Sequence, residues 1–325
     1  MAEDKAEWAR HAGTPGWTPF HSWEWLSWVA PLLDRQFVPL VVRRGSTSVG
    51  LAPMLVRKRP VGSHANIVDF NLGPLVPRED LAETSTLIKR WALRHGVLSF
   101  ELAVHPTAEA SQGSFAQAGL KERSDETYLI GLEDRSVADI FSSLSSDVRN
   151  AFRRSVKRGV TVRTSTADEL RHILPRLREE ALGRGADYTR RIGECLADGE
   201  PPFPVRCSTA VIDGRPVGMS ITVGGINAAG WLGSVFREDQ RTQAHSALVW
   251  DAIEWAHAAK CSWLDMLGAP DPGIAAYKRK FKPQILSHPV ASWQAPGFAT
   301  AQRAHAAFGL PEDLTPSTDV TNGHV

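Results

Sequence analysis

Val42-Arg43-Arg44-Gly45, followed by Val49-Gly50-Leu51-Ala52, returns later in the chain as Val211-Ile212-Asp213-Gly214 followed by Val217-Gly218-Met219-Ser220. Each is a pair of β-rich runs around a glycine-containing turn, the pattern of a hairpin. In this alignment one inserted residue separates the two turns. Further on, Trp91-Ala92 lies as far ahead of Phe100-Glu101-Leu102 as Trp255-Ala256 lies ahead of Leu264-Asp265-Met266, with no gap. Both read as a helix followed by a strand. An order of hairpin, helix, strand, helix, strand occurring twice predicts an α/β protein built of two tandem domains of one kind, each a mixed, mostly antiparallel sheet flanked by helices.

Working outward, the opening segment carries Trp8, Trp17, Trp23, Trp25 and Trp28, and the stretch from Thr18 reads as a Thr/Pro-started amphipathic helix whose aromatic area serves packing. A helix is expected near 81–95, leading into a strand over 97–104. The stretch 132–159 reads as the junction, a helix packed on the first domain running into a basic helix that opens the second. The first domain is therefore expected over 1–140 and the second, catalytic domain over 141–285. Residues 311–325 are Pro/Thr/Asp-rich and read as a disordered tail.

Composition narrows the function. The chain has 325 residues, and 37 Lys+Arg against 36 Asp+Glu give a formal net charge of +1. That balance argues against a whole-surface nucleic-acid binder and against DNA as a partner, so any phosphate site must be local. Cys195, Cys207 and Cys261 are widely spaced, with neither a zinc pattern nor a disulfide framework, so no metal is expected and the thiols read as reduced. The charged N-terminus is unlike a secretory signal and no run approaches a membrane helix; a cytoplasmic protein without a membrane partner is expected.

Arg149, Arg153 and Lys157 stand at i, i+4 and i+8, one stripe of a helix, with Arg154 and Arg158 beside it. A solvated helical face is the plain alternative. The second basic cluster, Gly273-Ile274-Ala275-Ala276-Tyr277-Lys278-Arg279-Lys280, follows the strand ending at Asp265, and a glycine-opened helix start after a strand suits an anion. The corresponding place in the first repeat, 113–119, carries no charge. That asymmetry assigns phosphate handling to the second domain.

The stretch 145–162 resembles the start of the second domain in the Fem-type aminoacyltransferases and their relatives in the GNAT superfamily. The run Trp263-Leu264-Asp265-Met266-Leu267-Gly268 ahead of Gly273-Ile274-Ala275-Ala276-Tyr277-Lys278 resembles that family's tail: glycine, an aliphatic, two variable residues, then an aromatic followed by lysine. The resemblance covers roughly residues 20–300 and implies two tandem GNAT-like domains, with the last part of the chain, 286–310, crossing back to the first. It implies a transfer that makes an amide, from aminoacyl-tRNA to an amine, with no bound cofactor; in other relatives the donor is an acyl-CoA. By position, Tyr277 and Lys278 match the pair that faces the reacting acyl group. Arg149 and Arg153 match basic residues opening the second domain, and Trp231 to Ser234 matches a mid-sheet segment where strands splay to admit the acyl group.

For a CoA donor, such enzymes carry a glycine-bearing pyrophosphate loop; the equivalent here, 241–247, lacks the glycines, and a Cβ hinders close backbone approach. Lys/Arg surfaces including Arg154, Lys157, Arg241 and Lys280 then suit a phosphodiester backbone such as tRNA. Lys278 is the candidate for holding the oxyanion, with Tyr277 against the donor end. Asp265 and His245 are candidates for the general base, although Asp265 answers to Glu101 in the first repeat, which equally suits a structural role. The acceptor is read as a small-molecule or peptide amine. A non-catalytic tRNA- or anion-binding scaffold stays open as the alternative.

Overall fold

The computed structural model describes residues 2–59, 62–65, 72–108, 113–180, 184–226, 228–269, 272–298 and 300. The expected tail over 311–325, and the returning segment beyond 300, lie outside the described residues. The chain forms two compact units: Met1–Asp125 with the chain from Ser287 onward, and Glu126–Leu286.

The first unit runs α1 (Ala2–Ala9), α2 (Trp23–Leu32), β1 (Gln36–Arg44), β2 (Thr47–Arg57), β3 (Ser63–Ala65), α3 (Leu81–Arg94), β4 (Val97–Ala103) and α4 (Ser114–Gln117), and β5 (Lys121–Gly131) leads into the second. There follow α5 (Val137–Ser143), α6 (Ser146–Lys157), β6 (Thr161–Thr164), α7 (Ala167–Glu180), α8 (Arg184–Asp198), β7 (Val205–Ile212), β8 (Arg215–Gly224), β9 (Ala228–Val235), α9 (Ala244–Ala258), β10 (Trp263–Asp265) and α10 (Pro272–Arg279). β11 (Gln284–Gln294) ends in the first unit.

Strand order is β1-β2-β3-β4-β11 in the first unit and β5-β10-β9-β8-β7-β6 in the second. The parallel pairs, β3 with β4 and β9 with β10, fall at equivalent places. The last strand of each repeat serves the other one: β5, after α4, pairs with β10, and β11, after α10, pairs with β4.

The repeat extends to irregularities. The hairpin ladder slips between Val42 and Arg43 in one unit and between Ala210 and Val211 in the other, leaving Val49 and Val217 as the extra residues of two β-bulges. Alignment on the bulges matches Val42 to Ala210 rather than Val211 and removes the inserted residue that sequence comparison requires. Asp213 and Gly214, with φ of 48° and 79°, make the tight turn of the second hairpin. After α3 and α9 the chain leaves through Gly96 at φ 68° and Lys260 at φ 58°, the left-handed position that ends a helix.

Two local expectations change. Thr18 starts a short 3₁₀ turn, Pro19–His21, and the helix proper is capped by Ser22, whose Oγ accepts from Trp25 N–H at 3.2 Å. Trp8, Trp17 and Trp25 are buried, Trp8 edge-on to Trp23 and Phe37. The junction helix α5 packs within the second unit. Its Ile140, with Leu144, joins Val148, Val249, Trp250 and Ile253 in a core of the second, because Ser136 and Ser145 cap α5 and α6 one after the other and turn their apolar faces to the same side.

Candidate active site

β9 pairs with β8 from Ala229 through Val235, but with β10 only at Ala228, Ala229 and Gly230. Past Asp265 the β10 chain departs. Met266 N–H still bonds Tyr128 O of β5 at 2.9 Å, and Leu267 then adopts φ 62°. Among the described residues, β9 from Trp231 to Val235 therefore has a ladder partner on the β8 side only. Two parallel strands that part in this way leave a wedge whose wall is a strand edge with backbone N–H and C=O groups to offer.

In the first unit the same place is filled. Leu72 bridges Val104 beyond β4, on the side that β9 leaves unpaired, while Leu75 exchanges backbone hydrogen bonds with Leu51 of β2 at 2.7 and 3.0 Å just as Ser234 pairs with Met219 of β8. The segment lies so close that a Cβ on Gly50 would sit 2.2 Å from Leu75 O, and one on Gly73 2.8 Å from Ala103 O. The start of α4 is filled too: the Glu122 carboxylate accepts from the N–H groups of Gly113, Phe115 and Ala116 at 2.6, 3.1 and 3.2 Å. The uncharged stretch 113–119 thus carries an anion of its own, supplied by the next strand.

In the second unit His245, Asp265, Tyr277 and Lys278 come together. The His245 and Tyr277 rings lie 4.6 Å apart, and Tyr277 packs edge-on to Phe281 at 5.2 Å. His245, on the first turn of α9, is pushed down to about 4 by desolvation and then by the Lys278 charge, so its imidazole is neutral at pH 7. Burial pushes the Tyr277 phenol up, with the Ser246 hydroxyl pulling it back. Asp265 is buried and its Oδ1 accepts from Thr127 Oγ1 at 2.6 Å and Leu267 N–H at 2.7 Å.

Lys278 is also buried, only 6% exposed, in the last turn of α10. Its Nζ donates to three successive carbonyls, Met266 O at 2.5 Å, Leu267 O at 3.1 Å and Gly268 O at 2.6 Å. An ammonium has three N–H donors. All three are committed here, which corrects the expectation of an oxyanion donor at this residue: none is left for a developing charge in this arrangement. The helix it ends is also not an anion-binding start around Lys278, since Gly273 lies at the opposite end. Desolvation lowers the ammonium to about 8 against an opposing pull from Asp265.

The basic residues divide. Arg149 curls back to Ser142 O at 2.8 Å and to Leu144 O, closing α5, so it leaves the stripe that helical spacing assigns it. Arg153, Arg154 and Lys157 are exposed and, with Asn150, line an open recess on α6. Lys280 is exposed, and its carbonyl accepts from Ser145 N–H, setting the end of α10 against the start of α6. Arg241 is exposed before α9, its carbonyl held by Arg158. Trp231 and Ser234 are placed by backbone pairing with Thr222 and Met219; their side chains lie outside the described part of the structure. Thr127 and Leu267 were not legible as site residues, one being far from Asp265 in sequence and the other an apolar residue in a left-handed conformation.

The family model described as an acetyltransferase (GNAT) domain matches residues 142–279. The structure is similar to that of FemX at TM-score 0.67, with 12% identity over 94% of this chain and 98% of that one. It is similar to the C-terminal domain of a putative lysylphosphatidylglycerol synthetase from Agrobacterium fabrum at TM-score 0.56 and 13% identity, covering 94% and 96%. A tandem GNAT protein from the clavulanic acid biosynthesis pathway gives 0.56 and 14%, covering 90% and 93%. No curated protein sequence matches significantly. The wedge between β9 and β10 lies inside the stretch that matches the acetyltransferase (GNAT) domain, and the chain as a whole shares its fold with FemX and the tandem GNAT protein.

Proposed function

We propose that the protein moves an aminoacyl group from aminoacyl-tRNA to the amine of a small-molecule or peptide acceptor, and that residues 126–286 form the catalytic unit. The observation that carries the donor assignment is the recess of Asn150, Arg153, Arg154 and Lys157: three exposed cations on one helix, suited to a phosphodiester backbone. The loop into α9 supports it. Where a CoA pyrophosphate would need bare N–H groups, Gln243 stands at φ 66° and Thr242 Oγ1 already takes the Ala244 N–H at 3.2 Å.

In this reading the acyl carbonyl enters the wedge, and backbone N–H groups of β9 beyond Gly230 face the oxyanion. The acceptor amine attacks the ester carbon; the C–N bond forms, the C–O bond to the tRNA breaks, and the released hydroxyl takes a proton while the amine gives one up. The tilted His245 and Tyr277 ring pair walls this space in the same reading. His245 Nδ1 or Nε2 accepts a proton only weakly at its lowered basicity, so it orients the amine before it receives charge.

The test is amide formation. Purified protein is incubated with charged tRNAs or with acyl-CoAs and candidate amines, and product is sought by mass, with and without ribonuclease. A ribonuclease-sensitive amide product supports the reading; a ribonuclease-resistant product made from acyl-CoA overturns the donor assignment, and binding of charged tRNA without any product overturns catalysis in favour of a scaffold.

A further inference from the structure

The repeat lets one unit serve as the control for the other. Ala118 N–H bonds Phe115 O at 3.1 Å just before Gly119 at φ 70°; Phe281 N–H bonds Lys278 O at 3.0 Å just before Lys282 at φ 50°. Phe115 and Lys278 are therefore equivalent residues. In the unit with phenylalanine the wedge is bridged from Leu72 to Val104; in the unit with lysine no such bridge occurs among the described residues. Lys278 gathers the carbonyls of residues 266, 267 and 268, and these are the residues where β10 turns away from β9. From the other side, Asp265 Oδ1 takes Leu267 N–H and is itself fixed by Thr127. A buried leucine held at φ 62° needs such support, since the left-handed region disfavours a side chain of that size.

We infer that Lys278 is a positioning residue: with Asp265 it clamps residues 266–268 in the turn that keeps the second unit's wedge open for the acyl group. This rests on the reading of that wedge as the donor site, but the clamp itself is tested without any donor. A lysine with its ammonium on three carbonyls fixes the directions of three peptide groups at once, which an apolar residue of equal length cannot do.

The experiment is amide hydrogen exchange on the full chain, wild type against Lys278→Met, followed at Leu267. The expected result is exchange at least tenfold faster at Leu267, with amides of β7 and β8 unchanged. Exchange within twofold of wild type in a folded variant overturns the clamp. Should Lys278→Met not fold, Thr127→Val, which leaves the ammonium in place and loosens Asp265, is to raise Leu267 exchange severalfold; an unchanged rate overturns the clamp equally. With a donor in hand, the clamp predicts a rise of at least tenfold in its KM for Lys278→Met, because the wedge is no longer held. A loss confined to kcat returns the ammonium to the oxyanion and overturns the inference. If no donor is found, the exchange result still stands, so failure of the clamp and failure of the functional reading are told apart.

Discussion

Lowering the pH should unfold this protein before its carboxylates are neutralised, because three histidines are held neutral. Burial, and then the neighbouring His105, pushes His21 down to about 3. Burial pushes His64 down to about 4, with Arg35 and Arg59 adding to it; its Nδ1 shares a hydrogen bond with Ser99 Oγ at 2.8 Å. His245 is lowered to about 4 by burial and Lys278. A histidine whose folded value lies below its unfolded one is protonated first in the unfolded chain, so its contribution is present above the unfolded value near 6.5 and is lost as the pH falls toward 4 or 3. Between pH 7 and pH 5 each withdraws about 1.8 kcal/mol and the three together about 5 kcal/mol, comparable to the whole stability of many domains. Urea melts followed by circular dichroism at half-unit intervals measure this. Because His21 and His64 lie in the first unit and His245 in the second, the loss should divide about two to one where the transitions separate. His64→Gln should remove about 1.8 kcal/mol of the dependence while leaving stability above pH 7 little changed. A total loss below about 1 kcal/mol across the same range would refute the reasoning, since it would mean the rings take up protons in the folded state as readily as in the unfolded one.

Other expectations follow from the two wedges and the α6 recess. Replacing Arg153, Arg154 and Lys157 together by Gln should flatten the salt dependence of tRNA binding. Three phosphate contacts predict that wild-type affinity falls about 20- to 40-fold between 50 and 200 mM salt, and filter binding at several salt concentrations reads the slope. Glu122→Ala strands three N–H groups at the start of α4 and should cost about 1–3 kcal/mol, seen as a lower urea midpoint with second-unit exchange rates unchanged. Gly50→Ala drives a Cβ into the Leu75 carbonyl and should cost about 1–3 kcal/mol or prevent accumulation of soluble protein; wild-type stability would show that the pairing of Leu51 with Leu75 yields easily. At alkaline pH the buried Lys278 acts with the same sign as the histidines, in a higher window. Its folded value near 8 lies below the unfolded one near 10.4, so the desolvation penalty, full below pH 8, is relieved as the pH rises through that window. The pH dependence of stability between 8 and 10 in wild type minus that in Lys278→Met checks this.

The duplication was legible because it is written in local patterns: a hairpin turn, a helix end and a strand each leave a short signature, and order alone joins them. The site was legible only as far as residue type carries it. Tyr277-Lys278 announces itself by sequence, and the structure does bring it beside His245 and Asp265. Its use does not follow from sequence, because the three carbonyls that claim the ammonium converge only when Leu267 turns left-handed, and nothing in Asp265-Met266-Leu267-Gly268 marks a leucine for that conformation. Helical spacing likewise put Arg149 on a stripe with Arg153; it could not show the chain ending of α5 just behind it, whose carbonyls draw the guanidinium away. The Thr127 to Asp265 bond spans 138 residues and depends on β5 pairing with β10.

What the exchange of closing strands adds is a physical reason for the asymmetry between the repeats. β5 brings Thr127, through which Asp265 is fixed, to the second unit, so the strand that follows the first repeat completes the second repeat's turn at 265–268. The same strand carries Glu122 near its start, and this carboxylate closes the first repeat's helix start. One strand thus shuts an anion site at its beginning and braces an open wedge a few residues later. A pair of identical repeats cannot be specialised by changing helix and loop residues alone, since each sheet is finished by the other's sequence. Substitutions in β5 therefore reach one unit or the other according to their place along the strand: Thr127→Val should loosen Leu267 without touching α4, and Glu122→Ala should release α4 without touching Leu267. If either change moved both, the two functions of the strand would be one.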